Sequence, residues 1–407
     1  MLDLCCHKLE PMYLSERVKS LAESQTIAMA RKSRELAAQG IDIISLSLGE
    51  PDFNTPDAIK KAAEKAIEDN FSFYTHVSGY LELRQAICKK FERDNGLTYT
   101  PDEIVVSTGA KQSIANAVLC LLNAGDEVIV PSPYWVSYLE LVKLAEAKSI
   151  TVNTSISTNF KITPAQLEKA ITPKTRLIIF SSPCNPTGSV YSEAELTALA
   201  EVIEKYPELY IISDEIYEHI NFVGKHFSIA HVPGMKERTA IINGVSKGFA
   251  MTGWRGGILA APKWLAQACD KMQGQFTSAT SSITQKAMEA AMKLSVETTY
   301  PMRDAFKRRR DLVVKGLSEI KGFKCNNPDG AFYVFPEVSY FFGKSYNGKK
   351  ISNATDLCFF LLEEAKVSMV PGAAFGDDNY LRISYATADE KLKEATERIK
   401  QAVSKLN

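Results

Sequence analysis

EIVVST (103–108), EVIVPS (127–132), RLIIFSS (176–182), LYIISD (209–214), TAIINGVS (239–246) and GGILAAP (256–262) are short apolar runs that close on small or polar residues, with helical segments between them. Strands buried on both faces of a parallel sheet read this way. The alternation of strand and helix therefore predicts an α/β domain with a mostly parallel central sheet. Working outward, residues 14–39 read as a helix that Gly40 ends, and IDIISLSLGEPDF (41–53) runs into a loop rich in Gly, Pro, Asp and Asn. From 57 to 95 two amphipathic helices bracket FSFYTHVSGY (71–80), whose aromatic and glycine residues suit a shaped loop better than a linker. Beyond 300, MRDAFKRRRDLVVKGLSEI (302–320), FKCNN (323–327), AFYVFPEV (331–338), a helix near 354–366, VSMV (367–370) and LRISYA (381–386) predict a second, smaller α+β domain. The expected division is an N-terminal extension over 1–13, an arm and part of the small domain over 14–56, the large domain over 57–300 and the small C-terminal domain over 301–407.

Composition agrees with two domains: 407 residues, 45% hydrophobic and 24% charged, exceed the size at which one core keeps growing. Lys plus Arg and Asp plus Glu balance at 48 each, so no net field draws the chain to nucleic acid or to an anionic membrane. No apolar run reaches the roughly 20 residues of a spanning helix, and the opening MLDLCCHKLEP lacks the basic start and apolar stretch of a signal peptide. The cytoplasm is the expected compartment. The eight cysteines include the adjacent Cys5 and Cys6 but no C-x-x-C, so neither a zinc framework nor a redox motif is expected and no metal is assigned. Asn153 and Asn353 open glycosylation-type triplets that have no acceptor machinery to meet in that compartment.

In open α/β sheets, ligands bind beyond the carboxyl ends of the strands. The residues to inspect are therefore Gly109, Ala110 and Lys111 after the first run, Asn185 within PCNPTG (183–188), Asp214, Glu215 and Tyr217, and Lys247. They converge on one crevice from distant positions. Ser107 to Ala110 form a small-residue turn leading into a helix, which could cradle a phosphate on backbone N–H groups or merely allow a tight turn. Asp214 closes an apolar strand, where a carboxylate needs a cationic partner such as a protonated ring nitrogen, or else a helix N-terminus to cap. Lys247 at another strand end is either a surface charge or a desolvated amine suited to Schiff-base chemistry.

Taken together, SLGEPDF (47–53), SPCNPTG (182–188), SDEIYE (213–218), NGVSKGFAMTGWR (243–255) and GAFYVFP (330–336) resemble class I aminotransferases of the pyridoxal-phosphate fold type I superfamily, from about residue 14 to the C-terminus. Within them the chain looks most like the bacterial aspartate aminotransferase subgroup with a Gly-Ala-Lys or Gly-Gly-Lys turn. The resemblance implies pyridoxal 5'-phosphate held as a Schiff base by Lys247, which also shuttles the substrate α-proton. Asp214 would keep the pyridine nitrogen protonated, Asn185 and Tyr217 would bond the 3-hydroxyl oxygen, and Trp135 would stack on the ring. Gly109, Ala110, Arg255 and Tyr74 of a second subunit would hold the phosphate, with Lys111 and Ser246 beside the cofactor.

Arg382 would fork the substrate α-carboxylate, near the Gly49 backbone, with Trp135 and Asn185 also facing substrate. Lys111, with Ser24 and Thr26 from the partner subunit, would meet a distal carboxylate. The implied reaction passes the amino group of L-aspartate to 2-oxoglutarate by a ping-pong route in a homodimer with shared sites. Alternatives on the same fold are transamination of aromatic amino acids or prephenate, a lyase, and an aminotransferase-like regulator. Relatives that aminate prephenate carry a basic residue just before the Ser and Thr, where this chain has Leu21, Ala22 and Glu23. Two departures stand out: Cys184 where the family usually has Asn, and Gly256 where it usually has an aliphatic residue.

Rival classes fail on specific residues. Gly244 to Gly248 satisfy the G-x-S-x-G elbow of α/β-hydrolases, but that order needs a histidine after the serine, and all five (7, 76, 219, 226 and 231) precede Ser246. Neither G-x-G-x-x-G at the first strand turn nor a P-loop is present. A regulator would also need a DNA-binding module for which the chain has no room.

Overall fold

The computed structural model describes residues 13–22 and 25–407, with the backbone alone at 25–28 and 30. The expected extension therefore lies, but for Tyr13, outside the described residues. Seven strands form the central sheet: β1 Ile104–Thr108, β2 Glu127–Ser132, β3 Lys148–Asn153, β4 Thr175–Ser181, β5 Tyr210–Asp214, β6 Thr239–Gly244 and β7 Gly256–Ala260. Their order is β1-β7-β6-β5-β4-β2-β3. All pairings are parallel except those of β7, which runs against both β1 and β6.

Strand alternation sends successive side chains to opposite faces. Val105, Val128, Leu177, Ile212 and Ile242 join one helix-covered core. Ile104, Val106, Ile241 and Ile258 enter a second, and Ile129, Ile178 and Ile211 a third. Each such side chain taken fully from water stabilises the fold by ~1.5–3 kcal/mol, which is why these runs are apolar throughout.

Three expectations need correction. The helix foreseen over 14–39 is two pieces, Glu16–Lys19 and Gln25–Ala38. Ser20 ends the first, its hydroxyl turned back onto the Arg17 carbonyl at 2.8 Å. Strand β3 was not foreseen, because as an edge strand it carries the half-exposed, polar KSITVN. GGILAAP is a strand but an antiparallel one, so its beginning, not its end, lies at the carboxyl edge, with Gly256 opposite Thr108 and Gly257 opposite Gly244. Arg255 is thereby delivered to the edge where the other strands finish.

The smaller sheet pairs Val370–Pro371, Leu381–Ser384 and Tyr333–Val334 antiparallel, and Ile44–Ser45 adds a parallel pair with Val367–Ser368. These pack with the helices Tyr300–Ser318, Ala354–Glu364 and Asp389–Val403 around Phe306, Phe332, Leu357 and Leu392. Arg309 ties the segment after Ser47 to this body through Asp52 at 2.7 Å and Asp389 at 3.1 Å. Of the two departures, Gly256 has a plain cause: a Cβ there would lie 2.6 Å from the Met288 sulfur, so Met288 already fills that space. Cys184 is buried, with its sulfur 4.0 Å from the Pro133 carbonyl. Among the described residues no helix is long and apolar enough to cross a membrane.

Candidate active site

The carboxyl edge of the sheet opens into a cleft of about 290 Å³. Four cations line it, Lys111, Lys247, Arg255 and Arg382, with Asp214 the one carboxylate among the lining residues. Such an imbalance suits an anionic ligand.

Asp214 ends β5 and is buried. Burial pushes its carboxyl up to about 6, although Tyr138 donates a hydrogen bond to Oδ2 at 2.7 Å and the Ile216 N–H donates to Oδ1 at 3.3 Å. No helix follows β5 for Asp214 to cap, so the capping alternative falls away. Lys247 follows β6, and its Nζ donates to the Gly49 carbonyl at 2.5 Å. Desolvation lowers this amine to about 8, with Glu50 opposing and Arg382 and Arg255 adding to the shift. It is a desolvated amine and not a surface charge, with far more of the neutral nucleophile near pH 7 than an ordinary lysine has.

Between β1 and the helix Ala110–Leu121, Gly109 holds φ +87°, a region that glycine alone occupies cheaply. A Cβ on it would sit 2.3 Å from Nη2 of Arg255, and one on Gly257 would strike the Gly109 carbonyl carbon at 2.2 Å. Turn, strand β7 and guanidinium are thus pressed together at a helix N-terminus, an arrangement that binds phosphate groups. Arg255 is anchored by Nη1 on the Thr252 carbonyl at 2.8 Å. Lys111, one residue into the helix, lies 5.1 Å from the centre of the Trp135 ring. Burial, and after it the Arg255 charge, lowers the Lys111 amine.

Arg382 is 2% exposed and sits between the Tyr333 and Phe375 rings. Its Nη1 donates to Oδ1 of Asn185 at 3.1 Å and its Nη2 to the Ser47 carbonyl at 2.6 Å, while Nε is buried without a partner. A guanidinium left with an unused donor in a cleft is prepared for a carboxylate. Tyr217 and Tyr333 share a hydroxyl hydrogen bond of 2.8 Å, and a Cβ on Gly49 would lie 2.7 Å from the Tyr333 oxygen.

Of the residues singled out in the sequence, Gly49, Ala110, Lys111, Trp135, Asn185, Asp214, Tyr217, Ser246, Lys247, Arg255 and Arg382 line this one cleft, and Gly109 abuts Arg255. Tyr74 and Glu215 do not: Tyr74 is 98% exposed on its own chain, and the Glu215 carboxylate is buried against Ser213, His226 and Ser228. Ser24 lies outside the described residues, as does the side chain of Thr26. Sequence reasoning missed Tyr138, Tyr333 and Thr252, which line the cleft. Tyr138 falls four residues before Val142 in an apolar helix and reads as core, and Tyr333 sits inside GAFYVFP, a signal that was there to use.

Comparison with known proteins meets this geometry directly. The family "aminotransferase class I and II" matches residues 41–399. The chain belongs to this family. The "aspartate/prephenate aminotransferase" of Cereibacter sphaeroides is 51% identical over 95% of this chain and 98% of its own. The crystal structure of the aspartate aminotransferase from Rhizobium meliloti superposes with a TM-score of 0.94 at 42% identity, over 98% of this chain and all of that one. That of Thermus thermophilus, solved with maleate, gives 0.91 at 39% identity over 96% and 100%. The fold and the resemblance read from the motifs are confirmed, and the chain is a pyridoxal-phosphate-dependent aminotransferase. The site fits that cofactor: a glycine-lined cradle with Arg255, a desolvated Lys247 amine, and a buried Asp214 whose charge lacks a cationic hydrogen-bond partner.

Proposed function

We propose that this aminotransferase moves the amino group of L-aspartate to 2-oxoglutarate, giving oxaloacetate and L-glutamate in two half-reactions at one site. The observation that carries the reading is a pair of cations in one cleft. Arg382 keeps a spare buried donor for an α-carboxylate, and Lys111 has no acidic partner among the described residues, which leaves it free for a second carboxylate. The Thermus relative solved with maleate, a dicarboxylate, supports it.

Bound pyridoxal phosphate supplies an electrophilic carbon and a ring that accepts the electrons released with the α-proton. Lys247 would hold the cofactor, and its neutral amine is the base that would take and return the substrate α-proton. Asp214 would favour a proton on the ring nitrogen, with Tyr138 fixing the orientation of the carboxylate. Asn185 and Tyr217 would hold the 3-hydroxyl side of the ring, Trp135 would stack on it, and Gly109, Ala110, Ser246 and Arg255 would receive the phosphate. Arg382 orients the substrate so that its α-proton meets Lys247, and Gly49 keeps the approach open.

We further propose a cytoplasmic homodimer in which Tyr74, Ser24 and Thr26 complete the neighbouring site, with 57–300 binding the cofactor and 301–407 packing with 14–56 as the smaller domain. A second reading adds prephenate as an acceptor. The Cereibacter relative supports it, whereas Leu21-Ala22-Glu23 offers no basic residue to meet it. Steady-state kinetics of Lys111→Ala, at saturating cofactor, test the dicarboxylate reading. Losing a charged hydrogen bond of ~1.5–3 kcal/mol should raise KM for aspartate and 2-oxoglutarate roughly 10–100-fold and leave an aromatic donor nearly unchanged. Equal losses for all substrates would overturn it, and turnover of prephenate by the parent enzyme decides the second reading.

A further inference from the structure

The helices Ala110–Leu121 and Lys263–Phe276 pack side by side, and two side-chain hydrogen bonds fix their register. Gln112 Nε2 donates to Oγ1 of Thr277 at 2.6 Å, and one turn on, Asn116 Nδ2 donates to Oε1 of Gln273 at 3.1 Å. Four residues forward on one helix accompany four backward on the other, the signature of antiparallel helices meeting along their i±4 rows. The next rung of this ladder is Cys120 opposite Cys269, where the two thiols face each other. Both are free, and both contact the same apolar cluster. They differ in access: Cys120 is partly exposed, whereas Cys269 is fully buried.

We propose that Cys120 and Cys269 form an oxidisable thiol pair, which a peroxide converts into an intramolecular disulfide joining the two helices. The chemistry divides between them by position. The partly exposed Cys120 is the thiol a peroxide reaches, so Cys120 is the nucleophile and the fully buried Cys269 the resolving thiol. The Cys120 thiolate attacks one peroxide oxygen; the O–O bond breaks, hydroxide leaves, and Cys120 becomes a sulfenic acid. The Cys269 sulfur then attacks the Cys120 sulfur as the S–O bond breaks, and its proton leaves with the departing oxygen as water. Two electrons pass from the sulfurs to the peroxide, and a dithiol reverses the change. The ladder also reaches the phosphate turn, because Oε1 of Gln112 accepts from the Thr108 N–H at 2.6 Å. The pair therefore staples the helix that carries Ala110 and Lys111.

The test is a peptide map of the holoenzyme after brief hydrogen peroxide treatment, with remaining thiols alkylated in denaturant. The expected result is a Cys120 peptide linked to a Cys269 peptide, lost on treatment with dithiothreitol. Cys269→Ser should instead let Cys120 advance to sulfinic acid. Wild-type protein with both thiols still alkylatable, with Cys120 as sulfinic acid, or with Cys120 bridged to any other cysteine would overturn the pairing. The wild-type map decides by itself, so a variant that fails to fold leaves the test standing.

Discussion

Asp214 shows what the site costs the fold when no cation hydrogen-bonds a buried carboxylate. Burial raises its carboxyl from 3.8 to about 6. Since the folded value lies above the unfolded one, the stability Asp214 contributes is fully present below the unfolded value and is lost as pH climbs from about 4 through about 6. In the cofactor-free enzyme, Asp214→Asn should therefore be more stable than the parent at pH 7, by about 3 kcal/mol, with the gap closing near pH 4. Thermal midpoints at the two pH values check this, and a variant less stable at pH 7 contradicts it. At this scale the charged residues were legible, because a lysine or aspartate ending an apolar strand demands an explanation. Tyr138 was not, since an aromatic in an apolar helix satisfies the ordinary reading, and only the fold brings its hydroxyl to Asp214.

Among the elements, the turn that carries Asp214 and Tyr217 is braced from behind by buried charge. Lys90, from the helix Leu81–Lys90, pairs with Glu218 and donates to Oδ1 of Asn95 at 2.8 Å, while Nδ2 of Asn95 donates to the same carboxylate at 2.8 Å. Burial alone would raise the Glu218 carboxyl, but the charges of Lys90, His219 and His226 hold it well below the usual range. Removing one partner strands the other charge, so Lys90→Met should cost ~3–5 kcal/mol at pH 7. Lys90→Met with Glu218→Gln should recover most of it. The loss should shrink as pH falls below the ordinary carboxylate range, because the stability a depressed carboxylate contributes is lost there. Urea midpoints measure both effects, and a single variant as stable as the parent would refute the brace. The strands of the central sheet were read from apolar runs, and the one of them that escaped, Lys148–Asn153, buries too little to leave such a run. The reversed direction of Gly256–Ala260 also escaped, because an apolar strand buried on both faces looks the same in either sense.

Across the whole molecule, one chain leaves Phe73, Tyr74 and Phe276 largely exposed, which is costly apolar surface unless something covers it. A two-fold partner would cover it and bring Tyr74 to the neighbouring phosphate turn. Mixing inactive Lys247→Ala subunits with inactive Tyr74→Ala subunits should then restore part of the activity in hybrid dimers. Proven exchange without recovery would count against shared sites. The architecture was legible because a parallel sheet writes its strands as apolar runs and its ligand residues just after them. A partner's contribution would leave only weak traces in a sequence, since residues that reach another chain look like ordinary surface.

The central claim is tested most directly by the visible absorption of the purified enzyme, before and after aspartate, beside Lys247→Ala. The cofactor band of the parent should fall on adding aspartate and return with 2-oxoglutarate, and the variant should complete neither change. A band that ignores aspartate would contradict the assigned donor, and no band after added pyridoxal phosphate would contradict the assigned site.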